Sequence, residues 1–156
     1  MAAVSKWPYE PGFEGLGVVG SSLGGFYATW VAKQLGCKAV LLNPAVHPER
    51  DLSSYLGEQI AWHDPSERFF FEPGFVDELR ALQAGPLASP ANYLAIIAKG
   101  DELLDWREMV ARYAGANLHV LEGGDHALSD FDDHLKVIVD FLTLKHDFFH
   151  DVADVP

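Results

Sequence analysis

A glycine-rich turn at residues 20–24, with the sequence GSSLG, constrains the fold of this chain more than any other segment. An apolar run at residues 16–19 leads into the turn, and an amphipathic stretch follows it to about Leu35. Since glycine has no Cβ, the two glycines that flank the turn let neighbouring backbone pack close to it. A buried strand that turns sharply into a helix is typical of a sheet with helical crossovers. We therefore expect an α/β fold, with a mainly parallel sheet flanked by helices.

The helix after this turn carries its large apolar side chains in a broad stripe. Small residues at positions 24, 25 and 28 would let the helix approach the sheet closely. A stripe of this width is typical of a helix that buries one face. We expect that face to comprise Leu23, Phe26, Tyr27, Trp30 and Val31.

The rest of the chain repeats the alternation of short apolar runs and helical stretches. Buried strands are predicted at residues 39–42, 93–98 and 118–121, and a further helix at 106–113. The whole chain, residues 1–156, is expected to form a single domain with a polar tail from about residue 146.

Residues 46–90 differ from the flanking segments, because they contain five prolines and several aromatic clusters. They are predicted to form an excursion above the sheet, with one helix at residues 76–82. A last helix is expected after Ser129, whose hydroxyl suits an N-cap. At helical spacing, the side chains that this helix would bury are Phe131, Leu135, Ile138, Val139 and Leu142.

An excess of acidic residues argues against several function classes. The 156 residues include 23 acidic and 11 basic side chains, which give a formal net charge of −12. A surface this acidic repels nucleic acid and anionic membranes. No apolar run approaches the about 20 residues that a membrane span requires, and residues 1–11 lack the apolar core of a secretory signal. We therefore expect a cytoplasmic protein with no nucleic-acid or membrane partner.

Cys37 is the single cysteine of the chain. It cannot form an intramolecular disulfide, and it leaves no thiolate set for zinc. Its place between a helical stretch and an apolar run favours a small buried side chain.

The turn at residues 20–24 does not match the dinucleotide-binding pattern G-x-G-x-x-G. The sequence thus indicates no cofactor and no metal.

The turn at residues 20–24 also matches the pattern G-x-S-x-G. In this pattern a sharp strand-to-helix turn holds the serine in a strained conformation with its hydroxyl exposed. A serine hydroxyl is a weak nucleophile until a base removes its proton. Ser22 is therefore a candidate nucleophile, provided that the chain also supplies a base and an acid that orients the base.

Two polar residues follow later strands, at the same edge of the predicted sheet. Asp101 comes after the strand that ends near Ala98, and His126 comes after the strand that ends near Leu121. The order serine, acid, histidine suits a serine on such a turn, and open α/β sheets bind ligands at this edge. We interpret His126 as the base and Asp101 as the acid. Asp105, one helical turn further on, stays an alternative for the acid.

The six other histidines are weaker candidates for the base. His47 and His63 precede the acid, which is the wrong order, and His119 lies within a predicted strand. The remaining three are expected on the solvated surface of the last helix and tail: His134, His146 and His150. The pair at positions 146 and 150 has i, i+4 spacing, which would hold a metal ion only adventitiously.

Two acidic residues adjoin the candidate site in sequence. Asp125 directly precedes His126, so its side chain points away from the imidazole in most backbone conformations. Glu102 directly follows Asp101, and we interpret it as a surface charge.

An oxyanion that develops during acyl transfer needs two backbone N–H donors. The amide of Leu23, which follows the candidate nucleophile, is expected to be one of them. The second typically comes from a His-Gly loop after an earlier strand, and no such loop precedes residue 16. We therefore expect a sheet that lacks the first strands of a complete fold.

Four motifs resemble those of the YqiA-type esterases, small bacterial α/β-hydrolases that cleave carboxylic esters, including acyl thioesters. The motifs are residues 17–30 (GVVGSSLGGFYATW), 42–46 (LNPAV), 100–105 (GDELLD) and 122–127 (EGGDHA). The resemblance extends from Leu16 to Leu144 and implies Ser22 as nucleophile, Asp101 as acid and His126 as base. YqiA-type members begin with a strand and a His-Gly-Phe loop, so this chain resembles an N-terminally shortened member.

The first functional hypothesis is a serine esterase or thioesterase that acts on a small-molecule acyl ester or thioester through an acyl-enzyme. The alternative is a catalytically impaired or non-catalytic α/β-hydrolase remnant or binding module, since the oxyanion loop is missing. A third hypothesis is an acyltransferase that uses the same residues. An exposed sheet edge would favour self-association, so a homo-oligomer is a further expectation.

Overall fold

The computed structural model describes residues 16–61 and 64–143. Its helices and strands alternate along most of the chain, as the apolar periodicity predicts. In chain order they are β1 (Gly17–Ser21), α1 (Leu23–Leu35), β2 (Lys38–Leu42), α2 (Pro48–Asp51), β3 (Gly57–Ala61), β4 (Asp64–Phe71), α3 (Pro73–Ala81), β5 (Tyr93–Ala98), α4 (Trp106–Arg112), β6 (Asn117–Leu121) and α5 (Phe131–Thr143). Short 3₁₀ turns lie at Leu52–Tyr55 and Pro90–Asn92. The expected polar tail, residues 146–156, lies outside the described residues.

Within these residues the main sheet has four strands in the order β1-β2-β5-β6, and every neighbouring pair is parallel. In register, Leu41 of β2 lies opposite Ala95 of β5, and Ile96 of β5 lies opposite His119 of β6. All six residues of β5 are buried, because helices cover both faces of the sheet centre. The predicted parallel sheet flanked by helices is therefore confirmed.

Two apolar cores lie on opposite faces of this sheet, and alternate residues of β2 and β5 contribute to each. On one face, Leu41 and Ile97 pack with side chains of α1 and α4. On the other face, Val40 and Ile96 pack with side chains of α5. Since successive side chains of a strand point to opposite faces, a continuous apolar run is what such a doubly covered strand requires.

The prediction for the buried face of α1 was correct for Phe26 and wrong for Tyr27. Tyr27 is 41% exposed, whereas the buried residues of the helix are Gly25, Phe26, Ala28, Thr29 and Ala32. The physical reason is a very close approach: a Cβ on Gly25 would lie 2.7 Å from Cβ of Pro44. Small residues therefore form the contact, and most of the larger side chains lie at its margin.

Residues 46–90 contain an antiparallel hairpin, β3–β4, that the sequence did not predict. Its strands are mostly exposed, so they carry no strong alternation of apolar and polar residues. Pro65 lies within β4, which suits a strand with a free edge. The predicted helix of this segment is present as α3, but it begins at Pro73, a favoured first helical residue.

Helix α5 begins at Phe131 and buries only part of the predicted stripe, in which Ile138 is buried and Phe131 and Leu142 pack against the core. Leu135 and Val139 are 42% and 51% exposed, whereas His134 and Ile138 are buried. The prediction that His134 is solvated was therefore wrong. Ser129 lies ahead of the helix, and its hydroxyl donates to the Asp125 carboxylate.

Cys37 lies in the turn between α1 and β2 and is half-buried rather than fully buried. Burial raises the pKa of its thiol. The helices between residues 16 and 143, outside the undescribed pair 62–63, are all too short or too polar to cross a bilayer.

Candidate active site

Three side chains that are distant in sequence form one hydrogen-bonded chain at the carboxyl edge of the main sheet. Nε2 of His126 lies 2.9 Å from Oγ of Ser22. Nδ1 of the same imidazole lies 3.0 and 2.9 Å from the two carboxylate oxygens of Asp101. The structure thus brings together the three residues predicted as nucleophile, base and acid.

Ser22 lies at the junction of β1 and α1, with φ of 55° and ψ of −122°. A positive φ is strained for a residue with a Cβ, and such strain persists only where the surrounding structure holds it. Two backbone hydrogen bonds to the neighbouring turn do so. Its amide donates to the Leu42 carbonyl at 2.9 Å, and its carbonyl accepts from the Ala45 amide at 2.9 Å.

Gly20 allows this turn to be so tight. A Cβ at that position would overlap the carbonyl of Gly24 in the first turn of α1. Any other residue at position 20 would push the helix away from the strand and move Ser22 with it. The first glycine of the pattern is therefore required by a steric contact.

Asp101 lies in the loop after β5, and its side chain is fully buried. Besides His126, its Oδ1 accepts hydrogen bonds from the amides of Leu103 and Leu104 at 2.8 and 2.9 Å. A buried carboxylate is costly unless its oxygens are hydrogen-bonded. The loop supplies these donors and thereby fixes the carboxylate against the imidazole.

Asp105, the alternative acid, has a different structural role. It is the N-cap of α4, and its Oδ1 accepts from the Arg107 amide at 2.9 Å. The Arg107 guanidinium lies 3.4 Å from the same oxygen. Of the two candidates, Asp101 is therefore the one that the fold brings to His126.

Two further side chains hold the loop of His126, and sequence reasoning did not identify either of them. Glu102, interpreted as a surface charge, is exposed but accepts a hydrogen bond from the His126 amide at 3.0 Å. The Nδ2 group of Asn43 donates to the carbonyls of Asp125 and His126 at 2.9 and 3.1 Å. A polar residue directly after the buried strand β2 was the signal that could have indicated Asn43.

Asp125 turns away from the imidazole, as expected from its place next to His126. Its carboxylate accepts from the hydroxyl and the amide of Ser129 at 2.6 and 2.9 Å. These two hydrogen bonds, the hydroxyl first, lower the pKa of Asp125. The residue thus closes the turn that leads from the His126 loop towards α5.

Leu23, the expected oxyanion donor, is the first residue of α1 and directly follows Ser22. The first amides of a helix have no intrahelical acceptor, so they remain available to a ligand. The positive end of the helix dipole lies at the same point. An anion that forms beside Oγ of Ser22 would therefore meet favourable electrostatics.

The remaining histidines of the described chain lie elsewhere. His47 precedes α2, with Nδ1 3.5 Å from Glu49. The exposed ring of His119 contacts the buried ring of His134, with centroids 5.5 Å apart. Within residues 16–61 and 64–143, no three His, Cys, Asp or Glu side chains converge as a metal site would require. The other three, His63, His146 and His150, lie outside the described residues.

An open cavity of about 460 Å³ adjoins the loop of Asp101. It is lined by residues 99 and 101–107. The Trp106 ring contacts the cations of Lys99 and Arg107, which lie 5.2 and 4.7 Å from its centroid. The surface next to the site therefore combines an aromatic face with charges of both signs.

The order of elements, the strained serine after β1 and the position of the polar cluster define an α/β-hydrolase fold. Residues 4–143 match the family described as UPF0227, an uncharacterised protein family, and the chain belongs to that family. UPF0227 is the YqiA-like family, so the resemblance to that family, predicted from the four sequence motifs, is confirmed.

Solved structures with the same fold are similar at low sequence identity. A protein of Agrobacterium vitis S4, provisionally named a hydrolase, is 22% identical with a TM-score of 0.62, over 81% of this chain and 60% of that one. A structure from work on the metagenome-derived lipolytic enzymes LipS and LipT is 18% identical with a TM-score of 0.58, over 85% and 66%. Est1E of Butyrivibrio proteoclasticus, with ferulic acid bound, is 17% identical with a TM-score of 0.55, over 92% and 61%. The chain thus spans less than two thirds of the length of these proteins, and the similarity shows the fold.

Proposed function

We propose that this protein is a serine hydrolase that cleaves small-molecule carboxylic esters, thioesters included, through an acyl-enzyme. The observation that carries the proposal is the hydrogen-bonded chain from Asp101 through His126 to Ser22. A hydroxyl, an imidazole and a carboxylate in this order are what nucleophilic acyl transfer requires.

In the first step, Oγ of Ser22 attacks the carbonyl carbon of the ester while Nε2 of His126 accepts the hydroxyl proton. A C–O bond forms, and the carbonyl electron pair moves to the oxygen. Asp101 holds Nδ1 of the imidazole in its protonated form and stabilises the imidazolium that results. Because the Asp101 side chain is fully buried, water screens this interaction little.

The oxyanion of the tetrahedral intermediate is proposed to accept a hydrogen bond from the Leu23 amide. This amide lies at the N-terminus of α1 and needs no reorganisation during the reaction. Donors that are already oriented towards developing charge are a large source of rate enhancement, and loss of one typically costs about 10²–10³ in turnover.

Collapse of the intermediate breaks the bond to the leaving alcohol or thiol, which takes its proton from Nε2 of His126. A water molecule then attacks the acyl-enzyme while His126 removes its proton. The second intermediate releases the carboxylic acid and restores the Ser22 hydroxyl. The imidazole thus acts as base and as acid in each half of the cycle.

An apolar cluster beside the nucleophile suits an acyl substituent. Buried Phe26 and Leu79 form its centre, and Leu23 and Leu104 pack against it. Leu23 adjoins Ser22, and the Leu104 amide donates to Asp101, so the cluster reaches the reacting groups. We propose that the acyl chain lies against these side chains, because burial of apolar surface is favourable.

The test compares hydrolysis of a short p-nitrophenyl ester and the thioester of the same acyl group. Ser22→Ala should lower kcat/KM for both substrates by roughly 10⁴–10⁶-fold. Ser21→Ala is the matched control. It removes the hydroxyl of the preceding residue, whereas the serine that hydrogen-bonds to His126 among the described residues is Ser22. A folded wild-type protein that hydrolyses neither substrate would contradict the proposal and favour a non-catalytic binding role. Added alcohol or amine acceptors would reveal acyl transfer in place of hydrolysis.

A further inference from the structure

Asn43 is a fully buried polar residue that no step of acyl transfer uses. It directly follows β2 and has a φ of 40°. Asparagine tolerates this left-handed region better than most residues, because its short amide can hydrogen-bond locally. A strained backbone conformation that carries a buried polar side chain persists only where the surrounding contacts hold it.

The side chain of Asn43 joins two loops of the candidate site. Its Nδ2 donates to the carbonyls of Asp125 and His126, at 2.9 and 3.1 Å. Its Oδ1 accepts from the Ala98 amide at 2.8 Å, at the point where β5 ends and the Asp101 loop begins. Both donors and the acceptor of the amide are thus occupied.

The same short turn also holds Ser22. The carbonyl of Leu42 accepts from the Ser22 amide, and the amide of Ala45 donates to the Ser22 carbonyl, each at 2.9 Å. Residues 42–45 therefore contact the nucleophile turn, the end of the acid's strand and the histidine loop. The amide of Asn43 is the side-chain link among these contacts.

We propose that Asn43 is a positioning residue, which sets the distance and angle of the His126 imidazole relative to Ser22 and Asp101. The inference rests on the proposed hydrolase function. Asn43 does not touch the substrate: it acts through the backbone of residues 125 and 126. A displacement of a reacting group by about 1 Å can cost 10²-fold in rate, so loss of these two hydrogen bonds should slow proton transfer more than it weakens substrate binding.

Two substitutions remove the N–H donors of the Asn43 side chain in different ways. Asn43→Asp keeps the size and the acceptor for the Ala98 amide, but it has no N–H groups for the two carbonyls. Asn43→Gly removes the whole amide without adding charge and tolerates the positive φ. Both variants should therefore release the His126 loop.

Asn117→Asp is the matched control at the opposite edge of the sheet. The Nδ2 group of Asn117 also donates to two backbone carbonyls, those of Ala91 and Tyr93, at 3.2 and 3.0 Å. This substitution removes the same kind of hydrogen bonds at the start of β6, away from the carboxyl edge. It should lower thermal stability without altering the chemistry at Ser22.

The experiment measures the second-order rate of Ser22 labelling by a fluorophosphonate, together with kcat and KM for a p-nitrophenyl ester. In both Asn43 variants, the labelling rate and kcat should fall by about 10²-fold, with KM little changed. Asn117→Asp should be labelled at the wild-type rate. Folded Asn43 variants with wild-type labelling and kcat would overturn the inference, as would an equal loss in Asn117→Asp. No labelling of wild-type Ser22 would instead refute the proposed function, so the two failures are distinguishable.

A measurement on the wild-type protein keeps the inference testable if neither Asn43 variant folds. Phosphonylation of Ser22 disturbs His126, and therefore should shift the side-chain amide resonance of Asn43 in an ¹⁵N NMR spectrum. The amide resonance of Asn117 should not move. An unchanged Asn43 resonance would overturn the inference.

Discussion

At the carboxyl edge of the main sheet, the side chains of Asn43 and Asp101 are buried and make several hydrogen bonds each. In the β3–β4 hairpin, Ile60 and Phe70 are 54% and 62% exposed. The edge is fixed by polar contacts that water cannot replace, whereas the hairpin depends mainly on backbone pairing between its own strands. Substitutions of similar size should therefore have unequal consequences in the two regions, and the site should be the more sensitive.

After the loss already expected for Ser22→Ala, the largest effect is expected from Asp101, the candidate acid. If the proposed function holds, an amide N–H in Asp101→Asn can face Nδ1 of His126 and stabilise the wrong tautomer, which should lower kcat by about 10⁴-fold. Asp105→Asn is the matched control, because asparagine also serves as an N-cap and should retain α4 and the activity. Ester hydrolysis by the two purified variants decides the matter, and a larger loss in Asp105→Asn would reverse the assignment.

A smaller difference is expected in stability between the sheet centre and the hairpin. Ile97 in β5 is completely buried, whereas Ile60 in β3 is half exposed. Ile97→Ala should lower the free energy of unfolding by about 2–5 kcal/mol, and Ile60→Ala should change it by no more than about 0.5 kcal/mol. Urea unfolding measures both. Equal losses would mean that the hairpin belongs to the cooperative core.

The smallest effect concerns the turn after His126 and its dependence on pH. Hydrogen bonds from Ser129 lower the pKa of Asp125 below its ordinary value of 3.8. A carboxyl with a lowered pKa in the folded state adds stability above its unfolded pKa and loses it as the pH falls through the folded value. Ser129→Ala should raise the pKa of Asp125, and the variant's deficit in stability at neutral pH should disappear as the pH falls below about 4. A ¹³C NMR titration of the Asp125 carboxyl that gives the same pKa in both proteins would contradict this account.

The sheet could be predicted from the sequence, because β2 and β5 are continuous apolar runs buried on both faces. The exposed hairpin could not, since no apolar alternation distinguishes β3 and β4 from a loop. The buried faces of α1 and α5 were predicted only in part, for another reason. Helical spacing shows which residues share a face, but the closeness of Gly25 to Pro44 depends on tertiary packing.

The candidate site also contains residues that could be predicted from the sequence and residues that could not. Ser22, Asp101 and His126 could be named from the ends of predicted strands, because parallel strands bring their carboxyl ends to one edge. Asn43 and Glu102 could not be assigned a role, because each one hydrogen-bonds to the backbone of a loop that is distant in sequence. Asn43 is 82 positions from Asp125, and Glu102 is 24 positions from His126. Such contacts follow from the packing of loops, and residue type alone does not encode them.

The central claim is that Ser22 is an activated nucleophile, and intact mass spectrometry after incubation with a fluorophosphonate tests it most directly. The account predicts a single added phosphonyl group on the wild-type protein and none on Ser22→Ala, with Ser21→Ala labelled like the wild type. A wild-type protein that shows a cooperative thermal transition but takes up no label would contradict the claim. Labelling that persists in Ser22→Ala would contradict it equally, because the reactive group would then lie elsewhere.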